Sequence, residues 1–321
     1  MKKIKWGILG VAKIAVNELI PAILEAPNSE LYAIASRDEK KAKEAANRFG
    51  CKAFPSYESL LADEEIDAIY NPLPNEMHME WTIAAAKAGK HILCEKPLGL
   101  NVAECEKMIE VCKENKVLLM EAFMYRYSEK TRKTLEIIAS GELGKLTHIN
   151  SSFRFMLTDA SNNRFYEKGG GSLYDVGCYP INFINMVTGT EPIEAYGVRT
   201  DDHGVDVSFA AVLKYECGLT ATINSGFNSE RFLRTEIYGT KGVLVVDKPF
   251  FDGTEEMVLF TSEGERTIPI KDCRRYTQQV IGFSEAILNN GGELLMPLED
   301  TLRNMRLIDR LYDTANKQNK D

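Results

Sequence analysis

Short apolar runs alternate with longer amphipathic stretches along the first third of the chain. Ile4–Leu9, Leu31–Ala35, Ala68–Tyr70, His91–Cys94 and Val117–Met120 are apolar at consecutive positions rather than at every second one. That pattern predicts strands buried on both faces. Between them, Ile14–Leu24, Glu39–Phe49, Met77–Ala88 and Val102–Asn115 carry their apolar residues at helical spacing. Strand–helix alternation of this kind predicts a parallel sheet with right-handed crossovers, a doubly wound Rossmann arrangement of the α/β class.

The pattern changes after Arg126. A helix is expected over Glu129–Ala139, stopped by Gly141, and Leu146–Phe155 begins a series of strand-like segments. Asp206–Tyr215, Leu219–Phe227, Phe232–Tyr238 and Gly242–Val246 follow one another with short turns, which predicts an antiparallel sheet in an α+β domain. Two helices, Gln278–Leu288 and Leu298–Ala315, come last. The break in pattern divides the chain into 1–122 and 123–321.

Composition narrows the function. With 39 basic and 47 acidic residues the formal charge is −8, and such a surface repels a phosphate backbone, so nucleic acid is not an expected partner. Apolar residues make up 44% of the chain, enough for a core of ordinary size. No uncharged apolar run approaches the ~18 residues of a membrane span, and Lys5, Lys13 and Glu18 interrupt any leader-like segment. Seven cysteines without C-x-x-C spacing suit a reducing compartment, so a cytoplasmic location is expected. His91, His148 and His203 show no metal-ligand spacing, and no metal is expected.

Four segments carry chemistry. Gly10-x-Ala12-x-x-Ala15 sits where the first strand meets the first helix. There a glycine allows the tight bend, and small residues allow a pyrophosphate to approach the N–H groups around Ala12, Lys13 and Ile14. Ser36 and Arg37 end the second strand, with Lys40 and Lys41 one helical turn on. A hydroxyl and a guanidinium suit a ribose 2′-phosphate, so NADP is favoured, while Asp38 keeps NAD open as the alternative. Glu95-Lys96-Pro97 follows the strand His91–Cys94 and puts an ammonium at the carboxyl edge of the sheet. Gly169-Gly170-Gly171-Ser172 precedes Asp175 and Tyr179, which share one face if a helix starts near Ser172. Taken singly, each also fits a bland origin: an ordinary strand-to-helix turn, a solvated arginine, a strand-end lysine, a capped helix.

In this order the segments resemble the glucose–fructose oxidoreductase, inositol dehydrogenase and rhizopine-catabolism family, Gfo/Idh/MocA, over nearly the whole chain. Pro72-Leu73-Pro74-Asn75-x-x-His78 adds to the resemblance. Glu121-Ala-Phe-Met-Tyr-Arg126, and Tyr179 where many members carry histidine, are similar to one branch. That branch holds dimeric dihydrodiol dehydrogenase, NADP-dependent xylose dehydrogenase and glucose–fructose oxidoreductase. The resemblance implies a nucleotide-binding domain over 1–122. Over 123–321 it implies a substrate-binding domain whose open, mostly antiparallel sheet often makes the subunit contact of a homodimer or homotetramer.

Hydride transfer to or from a secondary alcohol or hemiacetal carbon of a sugar, polyol or diol is the implied reaction. Lys96 and Tyr179 are the implied catalytic pair, with Asp175 beside them. Gly10, Ala12, Lys13, Ile14, Ser36, Arg37, Lys41, Pro72, Leu73, Pro74, Asn75, His78, Glu95 and Lys96 are the implied cofactor residues. Arg126 is implied near both cofactor and substrate. Phe209, Val212, Leu213, Ile223 and Phe227 further suggest more apolar sheet surface than one core face needs. Two rival functions share these features: a cofactor-binding regulator without catalysis, and a glycosidase that oxidises its substrate transiently with tightly held NAD.

Overall fold

The computed structural model of the protein describes residues 2–318 apart from 160, 167, 254, 255 and 272. It divides into two compact units, Met1–Tyr127 with Arg274–Thr301, and Ser128–Cys273 with Leu302–Asp321.

The first unit is a six-stranded parallel sheet built from β1 (Ile4–Leu9), β2 (Ser29–Ala35), β3 (Lys52–Phe54), β4 (Ala68–Asn71), β5 (His91–Cys94) and β6 (Leu119–Glu121). Its strand order is β3-β2-β1-β4-β5-β6, so the chain reverses direction across the sheet between β1 and β4. Ligands of open α/β sheets bind outside the carboxyl ends of the strands at such a reversal. The crossovers are α1 (Ile20–Glu25), α2 (Glu39–Phe49), α3 (Tyr57–Leu61), α4 (His78–Lys87) and α5 (Val102–Glu114). A π-helical turn, Ala15–Leu19, leads into α1.

The second unit begins with α6 (Glu129–Ser140), whose cap Ser128 accepts the Thr131 N–H and whose end is Gly141 at φ 78°. An eight-stranded sheet follows: β7 (Leu146–Met156), β8 (Glu194–Asp202), β9 (Val205–Lys214), β10 (Thr220–Gly226), β11 (Asn228–Gly239), β12 (Gly242–Asp247), β13 (Glu256–Thr261) and β14 (Gly264–Pro269). The order is β14-β13-β12-β11-β7-β10-β9-β8. All described pairs are antiparallel except β10 with β7, which runs parallel at the centre. Helix α7 (Cys178–Thr188) packs on β7 and β10.

The division differs from a single cut at 122/123. Helix α8 (Arg275–Leu288) returns to the first unit, where Phe283 lies 5.8 Å from Trp6 between ring centroids. There Ser284 accepts the Trp6 indole N–H and shares a hydrogen bond with Ser29. The core under β1 is thus closed by residues from the far end of the chain. Helix α9 (Leu298–Gln318) contains the third point of division.

The apolar set expected to overfill the sheet resolves by alternation. Phe209, Leu213, Ile223 and Phe227 are all buried in the core, and only Val212 stands outward, 54% exposed. Across the outward face the register runs Tyr196, Val212, Thr222, Asn150, Glu236, Val245 and Val258. Its centre is therefore polar, with exposed apolar side chains towards β8.

Candidate active site

Gly10 turns the chain out of β1 at φ 86°, and its N–H donates to Ala35 O at the end of β2. A Cβ there would lie 3.2 Å from Leu73 Cδ2 and 3.5 Å from Tyr57 Oη, and the left-handed backbone would strain any other residue. Ala12, Lys13 and Ile14 follow at the start of the first helix, whose leading N–H groups lack intrahelical partners and carry the positive end of the dipole. Tyr57, which no motif marks, forms one wall. Burial pushes its phenol up, against the pull of the Arg37 guanidinium beside it. Trp81 packs edge-on to Tyr57 at 4.8 Å, and its buried indole N–H has no partner among the described residues. A tight glycine bend, an open helix start and an unused donor fit a dinucleotide phosphate group.

Ser36 and Arg37 lie where the pattern put them, at the end of β2. Ser36 is buried and its Oγ accepts the Asp38 N–H, while Arg37 is exposed. Asp38 is the N-cap of α2, its Oδ1 accepting the Lys41 N–H at 3.1 Å. Lys41 is exposed and borders a shallow groove with Val11, Val16, Ala45 and Arg48.

Pro72, Leu73, Pro74 and Asn75 follow β4. Buried Asn71 organises this loop: its Nδ2 donates to His78 O and Thr82 Oγ1, and its Oδ1 accepts the Leu73 N–H. His78, expected along the cofactor, keeps its ring inside the fold. It is fully buried, with Nδ1 2.9 Å from Pro97 O and Nε2 2.8 Å from Leu73 O, so its ring ties two loops together. Burial, helped by the Lys96 charge, lowers its pKa.

Lys96 is half-buried at the end of β5 beside a cis Lys96–Pro97 bond. Its N–H donates to Glu95 Oε2, and Glu95 Oε1 accepts the Tyr70 hydroxyl at 2.6 Å. Arg126 is also buried, and its Nη1 donates to Asp300 Oδ2 and Leu295 O, each at 2.7 Å. That ion pair lies within the first unit and fixes the guanidinium. Glu121 ends β6, and its Oε1 accepts the Leu98 N–H at 2.9 Å.

In the second unit a π-helical turn, Leu173–Gly177, runs into α7 and carries Asp175 and Tyr179. A second π turn thus occurs beside candidate chemistry, as such bulges often do. Tyr179 is 7% exposed and packs between Phe153 and Phe250 at 5.5 and 5.3 Å. Asp175 is bound by Arg164, Nε to Oδ2 at 2.5 Å, and this carboxylate raises the Arg164 pKa, with Tyr179 adding to the effect. Arg164, Asp175 and Tyr179 are thus one cluster, although Arg164 lies in no expected motif.

The start of this helix is fastened by Asp206, another residue that pattern alone does not mark. Its Oδ2 accepts Ser172 Oγ and the Leu173 N–H, each at 2.8 Å, and its Oδ1 accepts Tyr312 Oη at 2.6 Å. Gly171, at φ 102°, is required here, because a Cβ would fall 2.2 Å from Asp206 Oδ1. Among the described residues no group of three His, Cys, Asp or Glu side chains could hold a metal ion. No described helix is long and apolar enough to cross a membrane.

Residues 4–123 match the model described as an oxidoreductase family with an NAD-binding Rossmann fold, and residues 131–245 match the GFO/IDH/MocA C-terminal domain. The chain is 38% identical to D-xylose 1-dehydrogenase (NADP(+)) 2 of Haloferax volcanii, over 97% of each chain. A 3-ketoreductase from Actinomadura kijaniata, solved with NADP and TDP-benzene, superposes with a TM-score of 0.91 at 29% identity, covering 98% of both chains. Aldose-aldose oxidoreductase from Caulobacter crescentus, solved with glycerol, gives a TM-score of 0.93 at 26% identity, covering 99% of this chain and 98% of that one.

Proposed function

Because the chain belongs to the Gfo/Idh/MocA oxidoreductase family, we propose that it transfers hydride between NADP and a secondary alcohol or hemiacetal carbon of a sugar, polyol or diol. The choice of NADP rests on one observation: the carboxylate nearest the end of β2, Asp38, is committed to capping α2, while Arg37 stands exposed beside it. A ribose diol would have to share a carboxylate already engaged in the cap, whereas a 2′-phosphate finds an exposed guanidinium. The names of the NADP-bound ketoreductase and the NADP(+) xylose dehydrogenase support the same reading.

When bound, NADP supplies the hydride acceptor or donor. The turn at Gly10 and the N–H groups of the first helix hold its phosphates, with Pro74 and Asn75 alongside. Tyr179 takes the hydroxyl proton in oxidation and returns it in reduction. Lys96 holds an ammonium near the reacting oxygen, stabilising alkoxide and favouring phenolate at Tyr179. Asp175, held by Arg164, accepts hydrogen bonds from the substrate's neighbouring hydroxyls.

A panel of aldoses, inositols and vicinal diols with NADP and NAD, followed at the reduced-nicotinamide absorbance, tests this. NADP-linked turnover of at least one class is expected. Hydrolysis of aryl glycosides without net absorbance change would point to the glycosidase chemistry, and cofactor binding with no turnover to a regulator. We further propose that the outward sheet face joins subunits, since Tyr196, Val198 and Val212 are each more than half exposed. Light scattering at micromolar concentration should then give at least a dimer, and a strict monomer would remove the assignment.

A further inference from the structure

Three consecutive residues around the candidate ammonium are pinned: the Lys96 N–H by Glu95, the Pro97 carbonyl by His78 and the Leu98 N–H by Glu121. The third of these pins is unlike the others. Glu121 is 2% exposed, pairs in register with Cys94 across β5 and β6, and reaches Leu98 with Oε1 at 2.9 Å. We propose that Glu121 is a positioning residue for Lys96, holding the Lys96–Leu98 turn through its carboxyl and coupling its own proton to the ammonium's charge. The proposal rests on the reading of Lys96 as a catalytic residue.

The charged and titratable groups around Glu121 are few. Cys94 lies opposite on β5, and Lys96 sits on the turn that follows it. Arg126 stands beyond β6 with its charge shared by Asp300. Glu95, on the same turn as Lys96, faces Tyr70. Burial pushes the Glu121 carboxyl up to about 7, against the Thr301 hydroxyl, the Leu98 N–H, Arg126 and Lys96, which all favour the carboxylate. The acid therefore holds its proton more tightly than an exposed glutamate does. Its negative form offsets the field that Lys96 presents, and its neutral form leaves that field whole.

The test follows the carboxyl directly. Carbon-13 spectra of the glutamate-labelled protein, with Glu121→Gln used to assign the resonance, should show a midpoint near 7. Lys96→Met should move that midpoint upward, because a cation that favours the carboxylate has gone. A midpoint below about 5, the ordinary range, or one unmoved by Lys96→Met would overturn the proposal. In turnover, Glu121→Ala should lower kcat roughly tenfold, a loss of positioning short of the ~10²–10⁴ of a proton-transfer group, while KM for NADP stays nearly constant. Glu121→Gln should restore kcat, since its amide oxygen still accepts from Leu98, but should lose the inflection near neutrality. Should Glu121→Ala fail to fold, the wild-type titration and the Gln variant still decide. Normal turnover in Lys96→Met would refute the catalytic reading of Lys96 alone, and the titration would still judge the coupling.

Discussion

Lys96 hangs from a turn whose backbone is gripped at three successive residues, and the glycine turn near it is set by one dihedral angle and one hydrogen bond to Ala35. Tyr179 is held differently. Its ring lies between Phe153 and Phe250, and its helix is anchored by Asp206, from 34 residues beyond Ser172, which Tyr312 also grips from α9. In the first unit, then, hydrogen bonds from the side chains of Glu95, His78 and Glu121 to successive backbone groups fix the turn that carries the reactive group. In the second, long-range side-chain packing does so. Backbone ties tolerate a changed side chain unless the tie itself is cut, whereas a packed anchor passes each change on to what it holds.

Substitutions can break the comparison where it is most exposed. Lys96→Met and Tyr179→Phe should each lower turnover by about 10²–10⁴-fold with cofactor binding retained. The double variant should be little worse than either single one, because groups acting as a unit are not additive. Steady-state kinetics on the substrate found by the panel check this, and near-normal turnover in Tyr179→Phe would send the proton elsewhere. Next in size, Asp206→Ala leaves two hydroxyls and an N–H without their acceptor and should cost roughly 3–5 kcal/mol. Thermal unfolding would register it, and a shift no larger than that of an exposed control would mean the anchor is slack.

Glu121 gives the sharper contrast within the first unit. Its carboxyl, raised to about 7, keeps a proton that the unfolded chain releases near 4.5. Stability should therefore fall as pH rises between those values and level off above, by about 3 kcal/mol at most. Glu121→Gln should remove that slope, which denaturant titrations at pH 5 and pH 8 would reveal. Smallest of the set, Arg37→Ala should weaken NADP by ~1.5–3 kcal/mol, the worth of a charged hydrogen bond, and leave NAD nearly unchanged in calorimetry. Equal losses for both cofactors would withdraw the 2′-phosphate role.

The same contrast explains what pattern alone made legible. Gly10, Arg37 and Lys96 stand at ends of apolar strands, where local turn chemistry marks them. Tyr57, Trp81, Arg164 and Asp206 reach their places only through contacts with distant segments, and nothing in their immediate neighbourhood signals it. Among the strands, β3, β8, β13 and β14 escape the hydrophobic pattern: β3, β8 and β14 are sheet edges with several exposed side chains, and β13, beside β14, is a six-residue strand with exposed Glu256 and Phe260. His78 shows what spacing leaves open: it follows Asn75 by three residues, and its buried ring faces the carbonyls of Pro97 and Leu73.

The return of α8 to the first unit has a consequence for how the molecule is made. Trp6 leaves the ribosome long before Phe283 and Ser284, which pack against it, because Ser284 lies 278 residues further along the chain. The nascent parallel sheet must wait, with Trp6 short of its α8 neighbours, while the whole second sheet is synthesised. A gene fragment ending at residue 273 would yield that unfinished sheet permanently and should aggregate on expression. Joining residues 1–127 to 274–301 through a short linker should instead give a soluble nucleotide-binding module.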